Sequence, residues 1–292
     1  MIAKRNLGFI AEQEAIIREL SKEQKICVKA ASEKGASVWL SALPLKKMGY
    51  ALNKREFQDA IKLRYGWSIP DMPRYCACGK RNSPDHALDC KLGGFVHIRH
   101  NNIRDTEAKL MKEVAHDVKI EPMLQPVSNP SDLNKGTITA DSARLDVSAR
   151  GIFCKFENTF FDVRITNPNS PSQQDKSLKD IYIKHEKEKM TSYNDRVIQV
   201  EKATFVPLIY TTTGGMGPQC TKFHKQLALL IADKRHERYS DVMNHMRTRL
   251  RFSLLRSILI AIRGSRGKRI FDQDLSNVAF NMIPHEITYE SY

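Results

Sequence analysis

The sequence predicts a mixed α/β fold, an α+β sandwich, and three observations predict it. From Asn101 onward the hydrophobic periodicity alternates in the order helix, extended piece, two strands, helix, strand, helix, and such alternation builds layered structures. The two adjacent strands, Arg144–Ala149 (RLDVSA) and Asn158–Thr166 (NTFFDVRIT), are rich in β-branched and aromatic residues and joined by a short connection through Gly151. With 292 residues, 41% of them hydrophobic and 27% charged, the chain has the length and apolar content for a sizeable core.

Taken in order, residues 1 to about 34 read as helix, with an apolar stripe at Ile10, Ala15, Ile16 and Leu20, ended by Gly35. After a Pro-punctuated stretch a second helix follows. Asn53 is its N-cap, and Phe57, Ala60, Ile61 and Leu63 form its buried side. The stiff segment SIPDMP closes this helical region, residues 1–72. Residues 73–98 carry a C-x-C-x7-H-x3-C array, Cys76, Cys78, His86 and Cys90. Three thiolates and one imidazole brought together by turn residues are what a tetrahedral structural Zn²⁺ needs. The gap between the first two cysteines is tighter than usual for zinc. Free, inert cysteines are the alternative, but those belong in apolar cores and not in a polar, turn-rich stretch. Cys27, Cys154 and Cys220 are scattered, which argues against a disulfide framework. A knuckle here would present Lys80 and Arg81 to phosphate.

Residues 99–240 form the expected core. Asn101 or Asn102 caps a helix with Ile103, Leu110, Met111, Val114 and Val118 on its apolar face, Glu107 on the same helix, and Pro122 beyond its end. His100, in the basic pair Arg99-His100, is placed to touch phosphate or zinc. Residues 126–141 are loop. Each central strand then carries one aspartate in an apolar setting, Asp146 and Asp162, and a desolvated carboxylate is costly unless something pairs with it. Two on neighbouring strands suggest a hard-cation site. Structural aspartates salt-bridged to Arg144 and Arg164 are an equally open alternative. Asp175–Lys202 reads as one long charged helix with Lys189 and Tyr193, four apart, on one face. ATFVPLIYTTTGGMGP is a strand ending in a glycine turn that lacks the GK[ST] of a phosphate-binding loop, and a helix from about Gln219 to Arg235 follows. Residues 241–292 are a basic amphipathic helix and tail. Arg247, Arg249, Arg251, Arg256, Arg263, Arg266, Lys268 and Arg269 there fit a nucleic-acid backbone contact. The other reading packs Phe252, Leu255 and Leu259 on the body and leaves the arginines solvated, and both can hold at once.

Forty-seven Lys and Arg against 33 Asp and Glu give a net charge of +14, which favours a polyanionic partner, nucleic acid being the commonest. The longest apolar run, LLRSILIAI, is too short to span a bilayer and is interrupted by Arg256, so no membrane role is expected. The amino terminus turns polar before a signal peptide could develop. The expectation is an intracellular protein, nuclear or cytoplasmic, and not a secreted one.

The cysteine–histidine knuckle, the RHN-x-x-RD motif at Arg99–Asp105 directly after it, and the aspartate pair with a basic helix behind it carry a resemblance. Together they resemble the restriction-like endonuclease region of R2-type non-LTR retrotransposons, which lies downstream of a reverse transcriptase. GASVWLSALPLKKMGYALNKREFQDAIKLRYGW, CACG, HALDC, GGF, RLDVSARG, FFDVRITNP and TTTGGMGP look like a widespread family of retroelement-derived proteins in animal genomes, over roughly residues 35–266. The resemblance implies a PD-(D/E)xK nuclease core of order αβββαβ, a structural Zn²⁺ in the knuckle, and a catalytic Mg²⁺ on Asp146 and Asp162. It also implies target-site nicking of DNA, with the element RNA as a further partner. This chain departs from the pattern twice. Leu145 stands where proline precedes the first aspartate, and Arg164 stands where the signature has lysine. Arginine stays protonated and cannot carry a proton. Some members of the nuclease family have the lysine on the following helix, which assigns that role to Lys189, with Tyr193 one turn on and Glu107 as a third carboxylate. Arg99, His100, Arg164, Lys80 and Arg81 are the candidate nucleic-acid contacts. Two readings compete: a catalytically decayed nucleic-acid-binding remnant, favoured by Arg164 and by the lack of a YxDD polymerase motif, and a zinc-stabilised protein-interaction module.

Overall fold

Four strands make one sheet, in spatial order β1 (His116–Ile120), β2 (Val147–Arg150), β3 (Asn158–Thr166) and β4 (Thr204–Thr211), in the computed structural model. The structure describes residues 12, 14–173, 175–264 and 266. The described helices are α1 (Lys22–Ala31), α2 (Lys54–Tyr65), α3 (Pro84–Asp89), α4 (Phe95–Met111), α5 (Leu178–Lys189), α6 (Asp195–Gln199), α7 (Pro218–Arg235) and α8 (Tyr239–Arg263). The protein is therefore mixed α/β. β1–β2 and β2–β3 pair antiparallel, while β3 and β4 are parallel, with Asp162 opposite Pro207. A parallel pair needs a long crossover, and α5 with α6 supplies it.

Side chains alternate across a strand, so β3 serves two layers. Phe161 and Val163 face the main core with Val206, Leu208, Tyr210, Ile103, Leu110, Phe223 and Leu250. Phe160 faces the other side with Phe205, Leu145, Leu124 and Val197 of α6. Asp162, between Phe161 and Val163, thereby falls on the α5–α6 side. Phe161 is fully buried, and truncating such a residue to alanine costs about 3–5 kcal/mol.

Several boundaries differ from expectation. α4 starts at Phe95, six residues before the expected asparagine cap, because Gly93 and Gly94 take left-handed φ of 86° and 71° and turn the chain straight into helix. A Cβ on Gly93 would lie 2.7 Å from the Phe95 ring. Val118 belongs to β1 and not to the helix face. The second strand begins at Val147; Arg144 makes only an isolated bridge to Met123. The long charged helix is interrupted by a π-helical turn, Met190–Asn194. The Ser192 carbonyl accepts a hydrogen bond from the Ile138 amide at 2.9 Å, so the crossing loop stabilises the widened turn. Arg196, with no exposed surface, clamps that loop by donating to the carbonyls of Ile138, Ala140 and Gln125 at 2.8–3.0 Å.

At the amino end, Ser21 starts α1 with a capping box, and Ile16 of the expected apolar stripe is 60% exposed. Asn53 caps α2 as expected, with Glu56 closing the box, but Phe57 stays half exposed, edge-on to Trp39 at 5.9 Å. Ile10, Lys268 and Arg269 lie outside the described residues.

The largest departure concerns α8. Its Phe252, Leu255 and Leu259 do pack, against Trp39 and Ala60 of the amino-terminal region. Arg256 and Arg263, however, and Arg266 just beyond the helix, are engaged inside the fold and are not free for a polyanion. Arg256 donates to the Gly49 and Ala51 carbonyls, and Arg263 grips Asp59 with two bonds of 2.7 Å. Arg266 donates to the Ala87 carbonyl and lies over the Phe95 ring at 4.8 Å. These side chains tie the amino-terminal region and the knuckle to α8, and their charge is used inside the fold. No helix among the described residues is long and apolar enough to cross a membrane.

Candidate functional site

Asp146 sits just before β2 and Asp162 at the middle of β3. Neither uses Arg144 or Arg164. The Asp146 Oδ1 is 2.8 Å from His100 Nε2, and its Oδ2 accepts from the Val163 amide at 2.6 Å. That second bond ties one aspartate to the strand residue immediately after the other. Asp162 Oδ2 lies 2.5 Å from the Lys189 ammonium in an ion pair. Lys189 is the last residue of α5, and the π turn that follows brings Tyr193 beneath it, with the ammonium 5.6 Å from the ring centroid. Sequence spacing had placed these two on one face, and the cation–π approach does so here.

Burial pushes the Asp162 carboxyl up to about 6; Lys189 opposes this, and Asp146 adds to it. The sign for stability follows. Between the unfolded carboxylate range near 3.8 and the folded value near 6, the native state holds a proton that the unfolded chain has lost. Asp162 therefore favours the fold fully below pH 4 and costs stability as pH rises to 6, by up to about 3 kcal/mol. Unfolding free energies measured between pH 4 and 7 should show this fall in the native chain; a flat profile would contradict the buried placement of Asp162.

The structure brings together Asp146, Asp162, Lys189, Tyr193 and His100, and leaves others out. His100 is no free phosphate contact, since it holds the Asp146 carboxylate. Nothing in the sequence spacing linked positions 100 and 146; only the packing of α4 against the sheet does. Glu107 is no third carboxylate for these aspartates. It has no exposed surface and is bonded to Tyr210 and, at 2.7 Å, to His224, in the core between α4, β4 and α7. Arg99 is no nucleic-acid contact either: it is 2% exposed and donates to the Leu88 carbonyl at 3.0 Å, anchoring α3 on α4. Arg164 is paired with Glu188 at 2.6 Å, and Glu188 also meets the buried His185 at 3.1 Å. Arg164 thus positions α5 beside the aspartates and is not a free cation.

A second centre lies in the knuckle. Cys76 and Cys78 flank a turn closed by the Gly79 amide on the Cys76 carbonyl at 2.9 Å, with Gly79 at φ of 84°. His86 lies on α3, capped by Ser83, and Cys90 follows that helix. The four ligand atoms are all within 4.8 Å of one another, with Cys76 and Cys90 sulfurs 3.8 Å apart and Cys78 Sγ 3.3 Å from His86 Nε2. Two sulfurs on one tetrahedral zinc stand about 3.8 Å apart, so the donor set and spacing can hold a metal such as zinc. The tight C-x-C gap is absorbed by the left-handed glycine. The Lys80 backbone amide holds the Cys78 thiol below its usual range, which favours the thiolate that a metal needs. Lys80 and Arg81 are both exposed on this knuckle.

Fold and site together define a mixed α/β protein with a Cys/His cluster that could bind a metal such as zinc and a pair of strand aspartates, of which the buried Asp162 pairs with a lysine. Compared with protein-family models and with curated proteins, the chain matches none.

Proposed function

We propose that this chain is a metal-dependent DNA endonuclease of the PD-(D/E)xK type, the target-site nicking part of a retrotransposon-derived protein. The single observation that carries the reading is the convergence of Lys189 on Asp162 beside Asp146, at 2.5 Å, from a helix that the strand motif does not contain. The order α4, β1, β2, β3, α5, β4, with three antiparallel strands and a parallel fourth, supports it. Two carboxylates are hard oxygen donors suited to Mg²⁺, and Asp162 has a buried oxygen compensated only by a lysine. Asp146 and Asp162 would hold the ion, which supplies polarisation of the scissile phosphate and a more acidic water.

The chain's own groups do the rest. His100 and the Val163 amide hold the two Asp146 oxygens and set the direction of the carboxylate. Lys189 neutralises Asp162 in the absence of another cation. Its ammonium, beside the aspartates, would stabilise the charge that develops on the phosphate. Arg164 fixes α5 through Glu188 while Lys189 supplies the amine beside Asp162, which accounts for arginine at the signature position. DNA would be held by exposed Lys80 and Arg81 and by the general positive charge.

The test is nicking of supercoiled plasmid in Mg²⁺ by the native chain and by Lys189→Met. Expected are nicking by the native chain and a loss on the order of 10²–10³-fold in the variant, with DNA affinity little changed. Salt-sensitive binding without nicking by either protein would instead establish the nucleic-acid-binding remnant, a reading favoured by the occupied state of both Asp146 oxygens.

A further inference from the structure

Far along β3 and β4 from the carboxylate pair, past the ends of both strands, lies a cavity of about 60 Å³ enclosed by the amino-terminal helices, α3, the strand ends and α8. Its polar lining includes Arg64, Arg251, Asp85, Asn169, Thr212 and Thr213. A space of this size takes several waters or one small polyatomic ion.

Among the described residues neither arginine has an ion-pair partner. Arg251 donates from Nε to the Ala36 carbonyl at 2.9 Å, and its Nη1 is buried without a hydrogen bond. Arg64 donates from Nη1 to the Ala31 carbonyl and to Ser37 Oγ, and its Nε is likewise buried and unbonded. Burial, and then the like charge of Arg64, pull the Arg251 guanidinium down to about 10. The acid of the lining, Asp85, accepts the Asn167 amide at 3.2 Å. This contrasts with Arg256 and Arg263, which pair with Glu56 and Asp59 on the same helix.

The local backbone is shaped around this arrangement. Gly214, at φ of 95°, lets the turn after β4 lie against Arg251, and a Cβ there would come within 2.8 Å of Arg251 Cδ. Asn169 donates from Nδ2 to Cys27 Sγ at 3.7 Å, and its Oδ1 is buried and unbonded. Two half-buried guanidiniums, each with a buried unbonded N–H, and two threonine hydroxyls set against the single carboxylate of Asp85 leave this lining with an excess of positive charge and of donors.

We propose that this cavity binds a phosphate-class oxyanion, clamped between the Arg64 and Arg251 guanidiniums. Free phosphate and the terminal monoester of a nucleic-acid strand share that chemistry. The site is separate from the aspartate pair and does not depend on nuclease activity.

The test is thermal unfolding of the full chain, without Mg²⁺, in inorganic phosphate against chloride at equal ionic strength. Saturating phosphate is expected to raise Tm by roughly 5 °C. Arg251→Gln should remove the increment, and Arg251→Lys should keep part of it. If Arg251→Gln does not fold, ³¹P line broadening of phosphate by the native chain, reversed by sulfate, is the readout. A 5′-phosphorylated dinucleotide that competes with phosphate, where its unphosphorylated form does not, identifies a strand terminus as the source; failure to compete identifies the free anion. Equal Tm in phosphate and chloride for the native chain, an unchanged increment in Arg251→Gln, or absence of ³¹P broadening overturns the proposal.

Discussion

Asp162→Asn should stabilise the protein at pH 7 by about 1–3 kcal/mol and at the same time lower Mg²⁺-dependent nicking by on the order of 10²–10³-fold. The two effects have one cause. A carboxylate 6% exposed in the middle of β3, with its acidity pushed to about 6, is held ionised at neutral pH against its surroundings. The amide has the same shape and no charge to desolvate. Lys189 loses its partner but keeps the Tyr193 ring and access to solvent, so the gain is smaller than the full cost of Asp162. The gain should vanish below pH 4, where the native carboxyl is protonated too. Chemical denaturation at pH 7 and pH 4, run beside the plasmid assay, checks both. A variant less stable than the native chain at pH 7 would mean that Asp162 is structural glue and not a stored cost.

Removal of metal from the knuckle should have the larger effect on the fold. Residues 73–94 contain only one short helix, and Cys76 and Cys90 are buried at 7% exposure each without a disulfide. A structural zinc contributes about 10–16 kcal/mol of apparent binding energy in small domains, much of it folding energy. The consequences would spread. α3 packs Ala87 and Leu88 into the main core, and its carbonyls receive Arg99 and Arg266. Asn167, at the end of β3, donates to Asp85 and Asp89 of the same helix. Cys90→Ser, or chelation, is expected to lower Tm by about 10 °C or more and to expose this face, while elemental analysis of the native chain finds one zinc per molecule. A native chain without bound metal, whose Tm ignores chelators, would show that the four residues pack as ordinary side chains.

Local chemistry was legible in the residues alone. The Asn53 cap, the strands around Asp146 and Asp162, the turn after β4 and the close spacing of the Cys/His quartet follow from patterns a few residues long, because caps, alternation and glycine turns are satisfied within one segment. The four-apart spacing of Lys189 and Tyr193 belongs to the same class. Boundaries failed where a distant group competed. The π turn after Lys189 exists because Ile138, more than fifty positions earlier, takes up a carbonyl, and α4 begins early because two glycines make any side-chain cap unnecessary.

What the sequence by itself determined was the alternation of helix and strand, the two apolar aspartates and the donor set of the knuckle, since hydrophobic period and ligand type are properties of short segments. Tertiary structure alone decided which charges are used where. It set His100 on Asp146, buried Glu107 against His224 and Arg99 against Leu88, and turned Arg256, Arg263 and Arg266 inward. It also left Arg64 and Arg251 lining one cavity without an ion-pair partner among the described residues. A charged side chain carries no periodic mark of its partner. Its role depends on the dielectric and the neighbours that folding places around it, and these come from segments far away in the chain.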